Sequence, residues 1–208
     1  MDTAGGFQGS LLPLLESSEP FDRAFGDLTR HELARGAWVD RQPGWVRDAD
    51  DLFFTVLDAL EWREGVERIR GEEVARPRLV ASFPTSEIPD GLGVFQEMSD
   101  ALSAHYGVAL ERITCNLYRD GRDSVAWHGD RVARELREAT VAIVSLGEAR
   151  PFRLRPKGGG PSMGWKAGHG DLIAMGGSCQ RTWDHSIPKV SSAGPRIAVM
   201  FRHFYVWG

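Results

Sequence analysis

Apolar residues recur along this chain at two periods, one helical and one extended. Between Asp50 and Trp62, the residues Leu52, Phe53, Val56, Leu57 and Leu60 share one face at helical spacing, and Asp48, Asp50 or Asp51 can serve as N-cap. A second apolar face, Leu92, Phe95, Met98 and Leu102, predicts a helix from about Asp90 to Tyr106 that stops at Gly107 and packs against the first. From Ile113 onward the texture changes to short apolar runs bounded by Gly, Pro and Asp. These predict strands over Ile113–Tyr118, Thr140–Leu146, Pro151–Arg155, Asp171–Met175, Thr182–Ser186 and Arg196–His203. Ala37–Asp40 and Arg78–Phe83 would extend the sheets. The expected class is α+β, with amino-terminal helices buttressing a carboxy-terminal antiparallel double sheet.

Composition narrows the setting. With 208 residues, no internal repeat, and only Met1–Ser10 and Pro156–Pro161 as loose stretches, one globular domain is expected. No apolar run approaches the roughly 18 residues of a membrane span, and the first basic side chain is Arg23, so a soluble, cytoplasmic protein without a signal peptide is expected. Two cysteines, Cys115 and Cys179, are too few for a disulfide framework or a structural zinc site and are expected to be reduced and buried. The net charge of −4 conceals an asymmetry: residues 1–110 sum to −10 and residues 111–208 to +6. A basic second half suits a polyanionic partner, and equally suits a solvated surface.

The candidate chemistry lies in that second half. His128-Gly129-Asp130, the distant His185, and the pair Arg196 and Arg202 stand out. Two imidazoles and one carboxylate on one face of a metal form the ligand set of non-haem Fe(II) oxygenases. His-x-Asp is a short pattern, and the chain holds a second copy, His169-Gly170-Asp171. Only 14 residues separate Asp171 from His185, against 55 for Asp130. A double-sheet roll joins strands far apart in sequence, which favours His128 and Asp130, while Ala167-Gly168-His169-Gly170-Asp171 reads as turn chemistry.

Asn116-x-Tyr118, Trp127-His128-Gly129-Asp130, Val144-Ser145-Leu146-Gly147, His169-Gly170-Asp171-Leu172, Asp184-His185-Ser186-Ile187-Pro188, and Arg196 with Arg202 together resemble the AlkB family over about Pro77 to His203. Its members are Fe(II)/2-oxoglutarate dioxygenases that demethylate alkylated nucleobases. The resemblance implies a double-stranded β-helix, or jelly roll, and the dioxygenase domain is expected to span 46–208; residues 1–45, which fall outside the resemblance, are expected to be an amino-terminal extension packed on the same domain. It makes His128, Asp130 and His185 the catalytic iron ligands, with 2-oxoglutarate and O₂ in the remaining positions. Arg196 would grip the distal carboxylate of 2-oxoglutarate, Asn116 and Tyr118 would hydrogen-bond the cosubstrate, and Arg202 would sit near its metal-side carboxylate. Strand alternation permits this, since Asn116 and Tyr118 share a face, as do Arg196 and Arg202.

For substrate contact the resemblance singles out Pro77-Arg78 and the aromatic after it, which makes Phe83 the candidate to stack on a flipped base opposite His128, with Arg78 nearby and Trp127 as an alternative wall. Phe83-Pro84 stands where many relatives carry Tyr-Gly, and Val132 where many carry an acidic residue able to accept from an adenine amino group. Arg131, Arg134 and Arg137, and then Arg150, Arg153, Arg155 and Lys157, are candidate phosphate contacts or a solvated face. The expected function is oxidative demethylation of N-alkylated bases in DNA or RNA, releasing formaldehyde, succinate and CO₂, with no membrane and no obligate protein partner. The alternatives are a 2-oxoglutarate-dependent hydroxylase of a protein or small molecule, and a catalytically silent nucleic-acid-binding module.

Overall fold

A computed structural model describes residues 19–69, 72–130 and 136–203. In chain order the elements are β1 (Thr29–Glu32), β2 (Ala37–Gln42), α1 (Ala49–Ala59), β3 (Arg63–Ile69), β4 (Glu72–Pro84), α2 (Val94–Tyr106) and β5 (Arg112–Tyr118). Then follow β6 (Val125–His128), β7 (Val141–Gly147), β8 (Arg150–Pro156), β9 (Met163–Ala167), β10 (Asp171–Gly177), the single turn α3 (Cys179–Thr182), β11 (Trp183–Ile187) and β12 (Arg196–Arg202).

From β5 onward the chain shuttles between two antiparallel sheets. The larger runs β1-β2-β10-β7-β12-β5-β4-β3 and the smaller β6-β11-β8-β9. Four strands of each form the roll, and β1–β4 extend the large sheet at both edges. The predicted strands are all present, with ends shifted by a residue or two, or, for the one expected at Arg78–Phe83, by six residues at its start; β1, β3, β6 and β9 were not expected. Charged or glycine residues break up β1, β3 and β9, and β6, Val-Ala-Trp-His, is too short to show a period.

The large sheet is buried on both faces, which is why its strands read as nearly continuous apolar runs. Ala142, Val144 and Leu146 of β7 and Ile197, Val199 and Phe201 of β12 face the helices, while Val141, Ile143 and Ala198 face the small sheet. Phe95 of α2 meets Phe201 of β12 edge-on at 6.1 Å. The helix expected from Asp50 to Trp62 ends at Ala59, where Leu60 turns extended and the Trp62 indole donates to the Leu57 carbonyl at 2.9 Å, satisfying a group the last turn leaves open. The second helix ends as expected at Gly107, whose φ of 65° is the left-handed conformation of a helix stop. Instead of resting on α2, α1 lies along β7, so the sheet and not a helix pair organises this core.

Within residues 19–45, β2 pairs with β10, and Phe21 packs on Trp45 with ring centroids 4.6 Å apart. Cys115 and Cys179 are buried and free, and burial pushes the Cys179 thiol up to about 12. Among the described residues no helix is long and apolar enough to cross a membrane.

Candidate metal centre and active-site cavity

His128 ends β6, Asp130 follows it, and His185 lies on the neighbouring strand β11, in register with His128. One ligand atom from each of the three lies within 4.8 Å of the others. His128 Nε2 is 3.9 Å from Asp130 Oδ1, and His185 Nε2 is 4.0 Å from Asp130 Oδ2. His128 Nδ1 stands 2.9 Å from the Ala126 carbonyl; the tautomer that donates there leaves the Nε2 lone pair facing the group. Burial, together with neighbouring His128, pushes the His185 imidazole down to about 4 against the raising pull of Asp130, so its ring is neutral and able to ligate at pH 7. Burial raises the Asp130 carboxyl, but His185, His128, Arg202 and Arg78 outweigh it and hold the group below its ordinary value.

Two residues set the approach of Asp130. Its backbone N–H donates to Gln180 Oε1 at 3.0 Å, and a Cβ on Gly129 would stand 2.4 Å from the Gln180 carbonyl oxygen. Only glycine allows β6 and α3 to close at this point. Phe152 stacks on the His185 ring at 5.8 Å and closes the floor.

The trio opens on a cavity of about 260 Å³ between the sheets. Asn116 and Tyr118 of β5, Arg196 and Arg202 of β12, and Arg78 of β4 all line it. Arg196 is 1% exposed, its Nε donates to Ser145 Oγ at 2.9 Å, and its guanidinium lies 5.2 Å from the Tyr118 ring centre. Arg196 Nη1 and Asp130 Oδ2 are buried without a hydrogen-bond partner. A buried donor of that kind calls for an anionic ligand and a buried carboxylate oxygen for a cation. The residues therefore fit a divalent metal at the trio and a carboxylate at Arg196. Arg202 Nη2 donates to Thr114 Oγ1 at 2.7 Å, and Asn116 Oδ1 accepts from Arg78 Nε at 3.3 Å.

Two expected substrate contacts stand elsewhere. Phe83 is an odd number of residues from Arg78 on one strand, so it faces away from the cavity and packs on the helix-side core opposite Ile113. Trp127, adjacent to His128, likewise points outward, beneath the Arg155 guanidinium at 4.2 Å. Arg150 is fully buried and donates to the carbonyls of Asp120, Asp123 and Pro188, so it is a brace and not a phosphate contact. Arg131, Val132 and Arg134 lie outside the described residues, and Arg137, Arg153 and Lys157 are exposed.

The second His-x-Asp is structural. Asp171 accepts from the Gly168 and Gly44 amides at 2.8 and 3.0 Å, and His169 Nδ1 accepts from Gly147 N–H at 2.7 Å. Sequence reasoning missed Arg76, Thr114, Ser145 and Gln180. Parity along β4 and β5 could have found the first two; nothing local marks Gln180.

The chain belongs to the 2OG-Fe(II) oxygenase superfamily, whose pattern matches residues 46–202. Within that class it is AlkB-like. Alpha-ketoglutarate-dependent dioxygenase alkB homolog 3 of Bos taurus is 29% identical over 185 residues, covering 78% of this chain and 65% of the relative. DNA oxidative demethylase ALKBH2 of Arabidopsis thaliana is 30% identical over 190 residues, covering 72% and 60%. The chain thus spans just under two thirds of these relatives. Among solved structures, OsALKBH1 has a TM-score of 0.59 at 13% identity, covering 85% of this chain and 100% of that one. A prolyl hydroxylase from Trichoplax adhaerens, in complex with a hypoxia inducible factor peptide, has a TM-score of 0.60 at 14% identity, covering 80% and 83%. At such identities the likeness shows the fold, a double-stranded β-helix. Fe(II), 2-oxoglutarate and O₂ are the reagents this family needs.

Proposed function

We propose that this protein is an oxidative demethylase of N-alkylated bases in nucleic acid. The observation that carries the reading is the convergence of the His128–Asp130–His185 trio and the buried, incompletely paired Arg196 on one cavity, in a chain whose relatives are AlkB-like. His128, Asp130 and His185 would hold the metal beside the cavity. Arg196, fixed by Ser145 and Tyr118, pairs with the distal carboxylate of 2-oxoglutarate, which a planar guanidinium suits. Asn116 and Tyr118 contact the chain of the cosubstrate, and Arg202, steadied by Thr114, offsets charge at its metal-side carboxylate. When bound, Fe(II), 2-oxoglutarate and O₂ supply hydroxylation of an N-methyl carbon, after which formaldehyde leaves and the base is restored, with succinate and CO₂ as coproducts. Phe152 closes the floor beside His185, and Arg78 with His128 borders the space where an extruded base must enter.

The test is Fe(II)-dependent conversion of 2-oxoglutarate to succinate with methylated single-stranded DNA, with methylated RNA, and without nucleic acid, recording demethylated base in parallel. Succinate coupled to demethylation is expected with at least one polymer, and an Asp130→Ala variant should form neither product. Succinate without demethylation would move the substrate to a protein or small molecule, and no succinate would leave a binding module.

A further inference from the structure

Beyond the ligand and cosubstrate residues, β4 gives the cavity a wall of unusual chemistry. Arg76, Arg78 and Val80 line it, while Leu79 and Ala81 on the other face of the strand meet the helix-side core. The pairing of β3 with β4 slips between Glu64 and Val66, and Gly65 lies in that slip beside Arg76: a Cβ at 65 would stand 2.9 Å from Arg76 Cδ. A glycine in an irregular pairing lets the Arg76 side chain, Nη1 included, lie against β3 while it lines the cavity. Arg76 Nε is buried and has no hydrogen-bond partner. Arg78 is engaged with Asn116 Oδ1 and the Ser124 carbonyl. Among the described residues lining the cavity the one carboxylate is Asp130, which belongs to the metal trio. The β4 side of the cavity therefore offers side-chain N–H donors and positive charge.

An extruded base must turn its N-methyl group to the metal, which lays the groups flanking that methyl against the walls. Methylation at N1 of adenine or N3 of cytosine leaves a base with a positive charge. Methylation at N1 of guanine or N3 of thymine leaves a neutral base with a carbonyl acceptor beside the methyl. Against Arg76 the first kind sets cation on cation, and the second sets a guanidinium on a carbonyl. Resting on the nucleic-acid demethylase reading above, we propose that Arg76 is a specificity-determining residue that selects neutral, carbonyl-flanked N-methyl bases over cationic ones.

Four single-stranded oligonucleotides of one sequence, carrying N1-methyladenine, N3-methylcytosine, N1-methylguanine or N3-methylthymine, test this with wild type, Arg76→Gln and Arg76→Lys. Wild type should favour the neutral pair in kcat/KM by about tenfold or more, the scale of one well-placed base contact. Arg76→Gln, which loses the charge and adds an acceptor, should bring the two pairs near parity, while Arg76→Lys keeps the order. A wild-type preference for the cationic pair, or a ratio that Arg76→Gln leaves unmoved, overturns the inference alone. If wild type forms succinate yet demethylates none of the four, the nucleic-acid reading fails and the inference falls with it.

Discussion

Arg150 and Arg196 are equally buried guanidiniums with different work. Arg150 spends its terminal N–H groups on three backbone carbonyls and braces the loop after β5, whereas Arg196 Nη1 is buried without a hydrogen-bond partner. Arg196→Ala should therefore weaken 2-oxoglutarate by about 1.5–3 kcal/mol, the value of a hydrogen bond to a charged group. Titration calorimetry in the presence of a redox-inert divalent metal measures this, and unchanged affinity would remove Arg196 from the cosubstrate site. The difference between the two arginines could be anticipated only through the resemblance, because burial and partner choice are not properties of a residue type.

At the scale of the element, strand parity decides more than motif spacing does. Thr114, Asn116 and Tyr118 on β5, and Arg196 and Arg202 on β12, alternate into the cavity. The same rule turns Phe83 and Trp127 away, since each is an odd step from a cavity-facing neighbour. The close approach of β6 to α3 makes a further prediction. Gly129→Ala, with its Cβ 2.4 Å from a backbone oxygen, should cost about 1–3 kcal/mol in denaturant unfolding and weaken metal binding by shifting Asp130. Equal stability and equal metal affinity would show that the junction yields.

The loop after β5 carries a pH dependence. Burial raises the Asp123 carboxyl, yet hydrogen bonds from the Arg119 side chain and amide lower it below its ordinary value overall. A depressed carboxylate stabilises the fold above the unfolded-state pKa, and that stabilisation is lost as pH falls through the lower folded value. Denaturant titrations from pH 7 downward should show stability lost on the acid side, and Asp123→Asn should be less stable at pH 7 with a flatter profile. A profile identical to wild type would show that this pair contributes nothing.

For the molecule as a whole, two apolar cores flank the large sheet, and the metal trio borders only the one between the sheets. The fold is therefore expected to stand without a metal at the trio. Chelation should abolish 2-oxoglutarate turnover and leave the far-ultraviolet dichroism and a cooperative melt intact. A divalent metal at a hundredfold excess over its Kd should stabilise by about 2.7 kcal/mol, raising Tm by roughly 5–10 °C for a chain of this size. Loss of the cooperative transition on chelation would make the metal a structural element.

The sequence by itself determined the two long helices, the main strands and the Gly107 stop, because period, turn residues and caps are local properties of a chain. Its motifs also determined the family, and with it the expectation for the trio, since these residue types occur in a fixed order. Only the tertiary structure decided that His128 and His185 meet across β6 and β11, 57 residues apart in sequence. It also decided that Gln180 steadies Asp130, that Arg150 is a brace, and that Arg76 reaches the cavity through an irregular pairing at Gly65. Each of these depends on which strand lies beside which and in what register, and register is set by the packing of two sheets against one another, which no local window of sequence contains.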